Sequence, residues 1–271
     1  LLQYFLYPGS KRTGVLFLLK NQKTIMTRKR PLTQDYEQYT AEDFIVWNTL
    51  YKRQMNLLER YACRDYLDAI TKVGFHKAAI PNFKDLNTIL LKQTGWQLVV
   101  VPAIVPQQEF FSLLAKKIFP ATCWLRSLEE LDYIEEPDMF HDVFGHVPLL
   151  AQPDYAKFMQ SFGALATQWA YEPELLSLLG KIYWFTIEFG LVAENGIFKI
   201  YGAGIISSPG ETRNSMTATT KRTALTTKSI INIDYRTDTL QERYFYIHRL
   251  AQLHDILPQL RQLMECLHHV N

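Results

Sequence analysis

The stretch His141-Asp142-Val143-Phe144-Gly145-His146-Val147-Pro148-Leu149-Leu150 sets two histidines and a carboxylate beside a glycine and a proline. On a straight α-helix the five-residue separation turns the imidazoles apart by ~140°, against ~40° for the four-residue spacing of helical zinc sites. They cannot share one face of a regular helix. For both rings to meet one metal, the helix carrying His141 must end or distort near Gly145, bringing His146 back toward the same centre.

Two histidines need a third ligand, and Lys181-Ile182-Tyr183-Trp184-Phe185-Thr186-Ile187-Glu188-Phe189-Gly190-Leu191 supplies a candidate, a single glutamate inside an apolar and aromatic run. Burying that carboxylate costs several kcal/mol unless a cation or a set of donors compensates it. Two imidazoles and one carboxylate form the facial triad of non-haem Fe(II) oxygenases, which leaves positions open for water, dioxygen or substrate. Zinc fits the same atoms, so the ligand types alone leave the metal open. A zinc hydrolase is disfavoured by the five-residue spacing. A binding protein without activity stays open at this point.

Glu136-Pro137-Asp138, the decapeptide, the run through Glu188 and Tyr201-Gly202-Ala203-Gly204-Ile205-Ile206-Ser207-Ser208 occur in one order and spacing. In these motifs the chain resembles the pterin-dependent aromatic amino acid hydroxylases, over roughly residues 35–250. Within them it is most similar to the short bacterial phenylalanine 4-hydroxylase branch, with neither a long N-terminal regulatory domain nor an extended C-terminal tetramerisation helix.

The resemblance implies a compact, mainly α domain with small β elements. It implies hydroxylation of L-phenylalanine to L-tyrosine with dioxygen and a tetrahydropterin, without a side-chain nucleophile or general base. It makes His141, His146 and Glu188 the Fe(II) ligands and sets Ser207 and Asp138 behind a metal histidine. By the same resemblance the pterin is expected to stack on Phe110. Asp142 stands where many animal members carry glutamate, and its shorter side chain needs a water bridge or a moved pterin ring. The resemblance further implies that Arg126 holds the substrate carboxylate, for which its planar fork is apt, and that Pro137 and Trp184 line the ring pocket.

At 271 residues and 48% hydrophobic composition, the chain can bury one substantial core without splitting into two. A net charge of +2, with basic residues spread along the sequence, gives no reason to expect nucleic acid. The apolar runs near the start are too short to span a bilayer. Cys63, Cys123 and Cys266 are odd in number and far apart, which implies no disulfide framework and points to a reducing cytoplasm. A monomer or small homo-oligomer is expected. Residues 1–33 read as a leader or solvated tail, with Met26 as the expected start and Arg28-Lys29-Arg30-Pro31 in solvent. Residues 34–271 read as the catalytic domain.

Within that domain Thr40-Ala41-Glu42-Asp43 forms a capping box ahead of an aromatic core stripe at Phe44, Trp47, Tyr51 and Leu58. A second helix starts at Asn82 and stops at Gly95, and Leu98–Val101 reads as a short strand or extended segment. Helices are expected over Gln107–Phe119, Pro153–Trp169, Glu174–Leu191 and Leu250–Leu267. Asn195-Gly196 marks a hairpin turn, and Ile230–Tyr235 and Tyr244–His248 are strand candidates.

Overall fold

Residues 29–237 and 239–270 are described by the structure, a computed structural model, and the expectations for residues 1–28, Met26 included, lie outside them. Arg30 is not a solvated charge. It pairs with Glu136 at 2.6 Å, and its guanidinium stands 5.6 Å from the centroid of the Trp124 ring.

Helix α1 (Ala41–Tyr61) starts at the expected box: Thr40 Oγ1 accepts from the Asp43 main-chain N–H, and Asp43 Oδ2 accepts from the Thr40 N–H. Its buried stripe is Val46, Trp47, Leu50, Gln54 and Leu58. Helix α2 (Arg64–Lys72) follows, then α3 (Phe83–Gln93), capped by Asn82 and closed by Gly95 at φ +77°, a conformation that costs glycine little.

Strand β1 (Gln97–Val100), helix α4 (Gln107–Ala115) and strand β2 (Ile118–Ala121) form a crossover in which β1 and β2 pair in parallel. The helix expected to reach Phe119 thus stops at Ala115, and Lys117 turns the chain at φ 59°. Short apolar runs such as Ile118-Phe119 read alike as helix or strand, and a partner strand some twenty residues upstream decides between them.

A π-helical segment (Phe140–His146) runs into α5 (Val147–Leu150). Helix α6 (Pro153–Thr167) packs along α4, then comes α7 (Pro173–Tyr183). The helix expected over Glu174–Leu191 changes character: a second π segment covers Trp184–Glu188, and Gly190 opens β3 (Gly190–Glu194). Asn195 and Gly196, both at positive φ, reverse the chain into β4 (Ile197–Ile200).

The rest comprises α8 (Ala203–Ile206), α9 (Pro209–Met216), β5 (Lys221–Ala224), α10 (Thr227–Ile231), β6 (Arg243–Ile247) and α11 (Ile256–Val270). Ile230–Tyr235 is no strand; the Thr226 capping box starts α10 there instead. Nor is Leu250–Leu267 one helix. Leu250–Asp255 is 3₁₀, which sets Pro258 in the first turn of α11, where its missing N–H breaks no helical bond. One sheet has the order β4-β3-β6-β5 and the other is the β1-β2 pair. The architecture is a single, mainly helical domain with small sheets, and no helix among the described residues is long and apolar enough to cross a membrane.

The close packing of α4 on α6 rests on Gly163, where a Cβ would stand 2.6 Å from Ala115 N and 2.7 Å from Leu114 Cβ. Gly163→Ala should therefore destabilise the fold by about 1–3 kcal/mol through overpacking, measured as a lower denaturant midpoint with an unchanged slope.

Candidate active site

The two π segments assemble the cluster. In an i→i+5 coil, residues five apart come onto one face, so His141 and His146 meet with ring centroids 5.1 Å apart and planes at 86°. Just past this coil, Pro148 has no N–H for the Phe144 carbonyl, which accepts from the Tyr66 hydroxyl instead, at 2.8 Å. Gly145 does not end the helix. It is needed for close approach, since a Cβ there would lie 3.0 Å from Ala203 O at the start of α8. In the second segment the Thr186 hydroxyl donates to Ile182 O at 2.6 Å, a side-chain intrusion into the helical ladder just ahead of Glu188.

One ligand atom each of His141, His146 and Glu188 lies within 4.8 Å of the others, and all three residues are buried. His146 Nε2 stands 3.2 Å from Glu188 Oε1, and His141 Nε2 stands 3.8 Å from Glu188 Oε2. Ser207 Oγ donates to Ala203 O and lies 2.9 Å from His141 Nδ1. With its only proton so committed, Ser207 must accept from Nδ1–H, which leaves a lone pair on His141 Nε2 facing Glu188. Burial, with His146 adding to it, holds the His141 pKa well below the ordinary imidazole value, so the ring is neutral as a ligand must be. Glu188 Oε2 is buried with no hydrogen-bond partner. A divalent cation between these atoms would satisfy both the orphaned oxygen and the free lone pairs, so the residues fit iron.

Asp138 does not touch an imidazole. Its Oδ1 accepts from the His141 main-chain N–H at 3.2 Å, and the carboxylate binds Arg126 through Nε–H to Oδ2 at 2.9 Å and Nη2–H to Oδ1 at 2.8 Å. Burial would raise the Asp138 pKa, but the charge and hydrogen bonds of Arg126 outweigh it and hold the carboxyl below its ordinary range. One edge of the guanidinium is thus spent on Asp138, and Nη1 makes no hydrogen bond among the described residues.

Arg126, Pro137, His141, Trp184 and Ser207 line one cavity of about 270 Å³, just below the usual ~300–1,000 Å³ of small-molecule sites. Phe110 and Asp142 are not among its lining residues. Phe110 packs edge-to-face on Tyr183 at 5.3 Å, and the Tyr183 ring lies 6.5 Å from that of His146. Asp142 Oδ2 accepts from Thr122 N–H at 2.8 Å and Thr122 Oγ1–H at 2.9 Å. Burial lifts the Asp142 pKa to about 7 despite these donors. Thr122 and Tyr66 carry no motif in the sequence, and neither do Glu211 and Gln241 in the cavity wall.

The sequence profile described as Biopterin-dependent aromatic amino acid hydroxylase matches residues 26–270, and the chain belongs to this family. It is 41% identical over 238 residues to the phenylalanine-4-hydroxylase of Ralstonia nicotianae, covering 87% of this chain and 76% of that one. A tyrosine 3-monooxygenase of Canis lupus familiaris is 34% identical over 224 residues, or 81% of this chain and 45% of that one. The fold matches Chromobacterium violaceum phenylalanine hydroxylase with bound oxidized Fe(III) at a TM-score of 0.82 and 37% identity, over 91% of this chain and 93% of that one.

Two substitutions grade the metal site. Glu188→Ala should leave the purified protein without iron, whereas Ser207→Ala, which frees His141 Nδ1, should keep the metal with ~10- to 100-fold weaker affinity in a chelator competition. Full iron retention by Glu188→Ala would refute the ligand assignment.

Proposed function

We propose that this chain hydroxylates L-phenylalanine at the para carbon of the ring to give L-tyrosine. The observation that carries the reading is one cavity into which a metal-site histidine, His141, a carboxylate-binding arginine, Arg126, and an aromatic wall, Trp184, all open. An α-carboxylate at the free end of the Arg126 guanidinium would leave the side chain between Pro137 and Trp184, toward the metal side of the cavity. The names of several bacterial relatives near 40% identity favour phenylalanine over tyrosine.

His141, His146 and Glu188 would hold Fe(II), and Phe110 and Asp142 are the residues that the family resemblance sets beside a tetrahydropterin, Asp142 through a water bridge or against a moved ring. Bound iron and pterin together supply the activation of dioxygen, one atom of which goes to the ring and the other to the pterin. The chain's own part is to bind, orient and exclude water. Asp138 locks Arg126 while holding the first turn of the His141 segment, so the carboxylate anchor and the metal ligand are set by one group.

We place the enzyme in the cytoplasm, a reading supported by its free cysteines Cys63, Cys123 and Cys266, and propose a monomer or small homo-oligomer.

Purified protein supplied with Fe(II), a tetrahydropterin and phenylalanine, tyrosine or tryptophan, with the products separated, tests the substrate directly. Tyrosine formed from phenylalanine as the preferred reaction is the expected result. Arg126→Lys should cost ~2–4 kcal/mol, or roughly 30- to 1000-fold in kcat/KM, because lysine cannot bridge Asp138 and the substrate at once. The iron content of this variant should stay normal. A change under about threefold would move the carboxylate anchor elsewhere.

A further inference from the structure

Every polar atom of one residue outside the family motifs is engaged in the cavity wall. Trp184 donates from Nε1 to Gln241 Oε1 at 3.1 Å, and Gln241 Nε2 donates to Arg236 O at 2.7 Å. The main-chain N–H of Gln241 donates to Glu211 Oε1 at 3.0 Å, and its carbonyl accepts from Asn214 Nδ2 at 2.8 Å. Asn214 also donates to the Tyr244 hydroxyl, which donates in turn to Glu211 Oε2. Gln241 is only 7% exposed. A buried, fully satisfied network of this kind fixes geometry, because each bond is lost to nothing better if the residue moves.

The Trp184 indole packs on Phe189 at 4.5 Å and 34° and on Tyr235 at 4.8 Å and 28°. Such ring contacts fix the plane of the indole but not its rotation within that plane, whereas a hydrogen bond at Nε1 fixes the rotation as well. The same Gln241 amide holds the loop at Arg236, and Thr237, Thr239 and Leu240 of that loop line the cavity with Trp184.

We propose that Gln241 is a positioning residue for substrate choice: it sets which edge of Trp184 faces the cavity and ties that edge to the main chain at Arg236 and Thr239. The size of ring that the cavity accepts is then decided partly by a side chain that acts through Trp184. This rests on the reading that the cavity takes an aromatic amino acid.

The test uses the iron-loaded full chain and three variants: Gln241→Met, near in size but unable to bond, Trp184→Phe, which removes the indole N–H, and the double substitution. The readout is kcat/KM for phenylalanine divided by that for tryptophan. Gln241→Met should lower this ratio about tenfold, mainly through the KM for phenylalanine, with iron content unchanged. In the Trp184→Phe background the same substitution should change the ratio by less than about threefold, because the partner is already gone. A ratio within about threefold of wild type, or effects of the two substitutions that simply multiply, would overturn the proposal and leave Gln241 a staple of the loop. If Gln241→Met does not fold, Gln241→Asn, whose amide falls short of Trp184, is judged by the same ratio and threshold. Wild-type protein that forms no tyrosine refutes the functional reading itself, whereas a tyrosine-forming wild type with an unchanged variant refutes this inference alone.

Discussion

The Glu188 carboxylate is buried beside His141 and His146 with one oxygen that no donor reaches, and the site is arranged around offsetting that cost. Taking an ion of this kind out of water costs several kcal/mol after relaxation, far more than one neutral hydrogen bond returns. The lone pair that His141 Nε2 turns toward it does not relieve the charge. A divalent cation does, and the same three side chains leave part of its coordination sphere open, as an oxygenase requires.

Holding the ligands there needs irregular backbone, and the irregularities have local causes. Pro148 denies the Phe144 carbonyl a helical donor just past the π segment, and the Tyr66 hydroxyl takes its place. Gly145, Gly190 and Gly202 lie where α8, Tyr201 and the main chain around Glu188 press together, so a side chain at any of them would open the site. Arg126 and Asp138 extend this frame outward. Their mutual binding leaves only one end of the guanidinium for a substrate and couples that end to the His141 main chain.

Elements with local signals are legible in the amino-acid sequence. The Thr40 box, the Asn82 cap with Gly95, the Asn195-Gly196 turn and the Pro153 helix stand where their residues put them, because capping and turn geometry are satisfied within a few positions. The segments that fold against their local pattern are those whose state depends on distant partners. Ile118–Ala121 is a strand only because β1 lies beside it, and Gly190-Leu191 leaves the helix because β6 and β4 pair there. Arg30 reads as part of a solvated tail because its partner Glu136 is over a hundred residues away.

By itself the sequence determined the ligand types, their spacing and the family, since the identity and order of His141, His146 and Glu188 are chemical facts of the chain. It also required that the helix through His141 depart from regular geometry, because ~140° of rotation cannot be reconciled with one metal. Only the tertiary structure decided how it departs: as a continuous π coil through Gly145, with Ser207 fixing which nitrogen of His141 is free. Tertiary structure likewise committed Arg126 to Asp138 and placed Gln241 against Trp184. Hydrogen bonds between residues 12, 57 and 66 positions apart leave no period or motif in a sequence; they exist only once packing has excluded water and left each donor one partner.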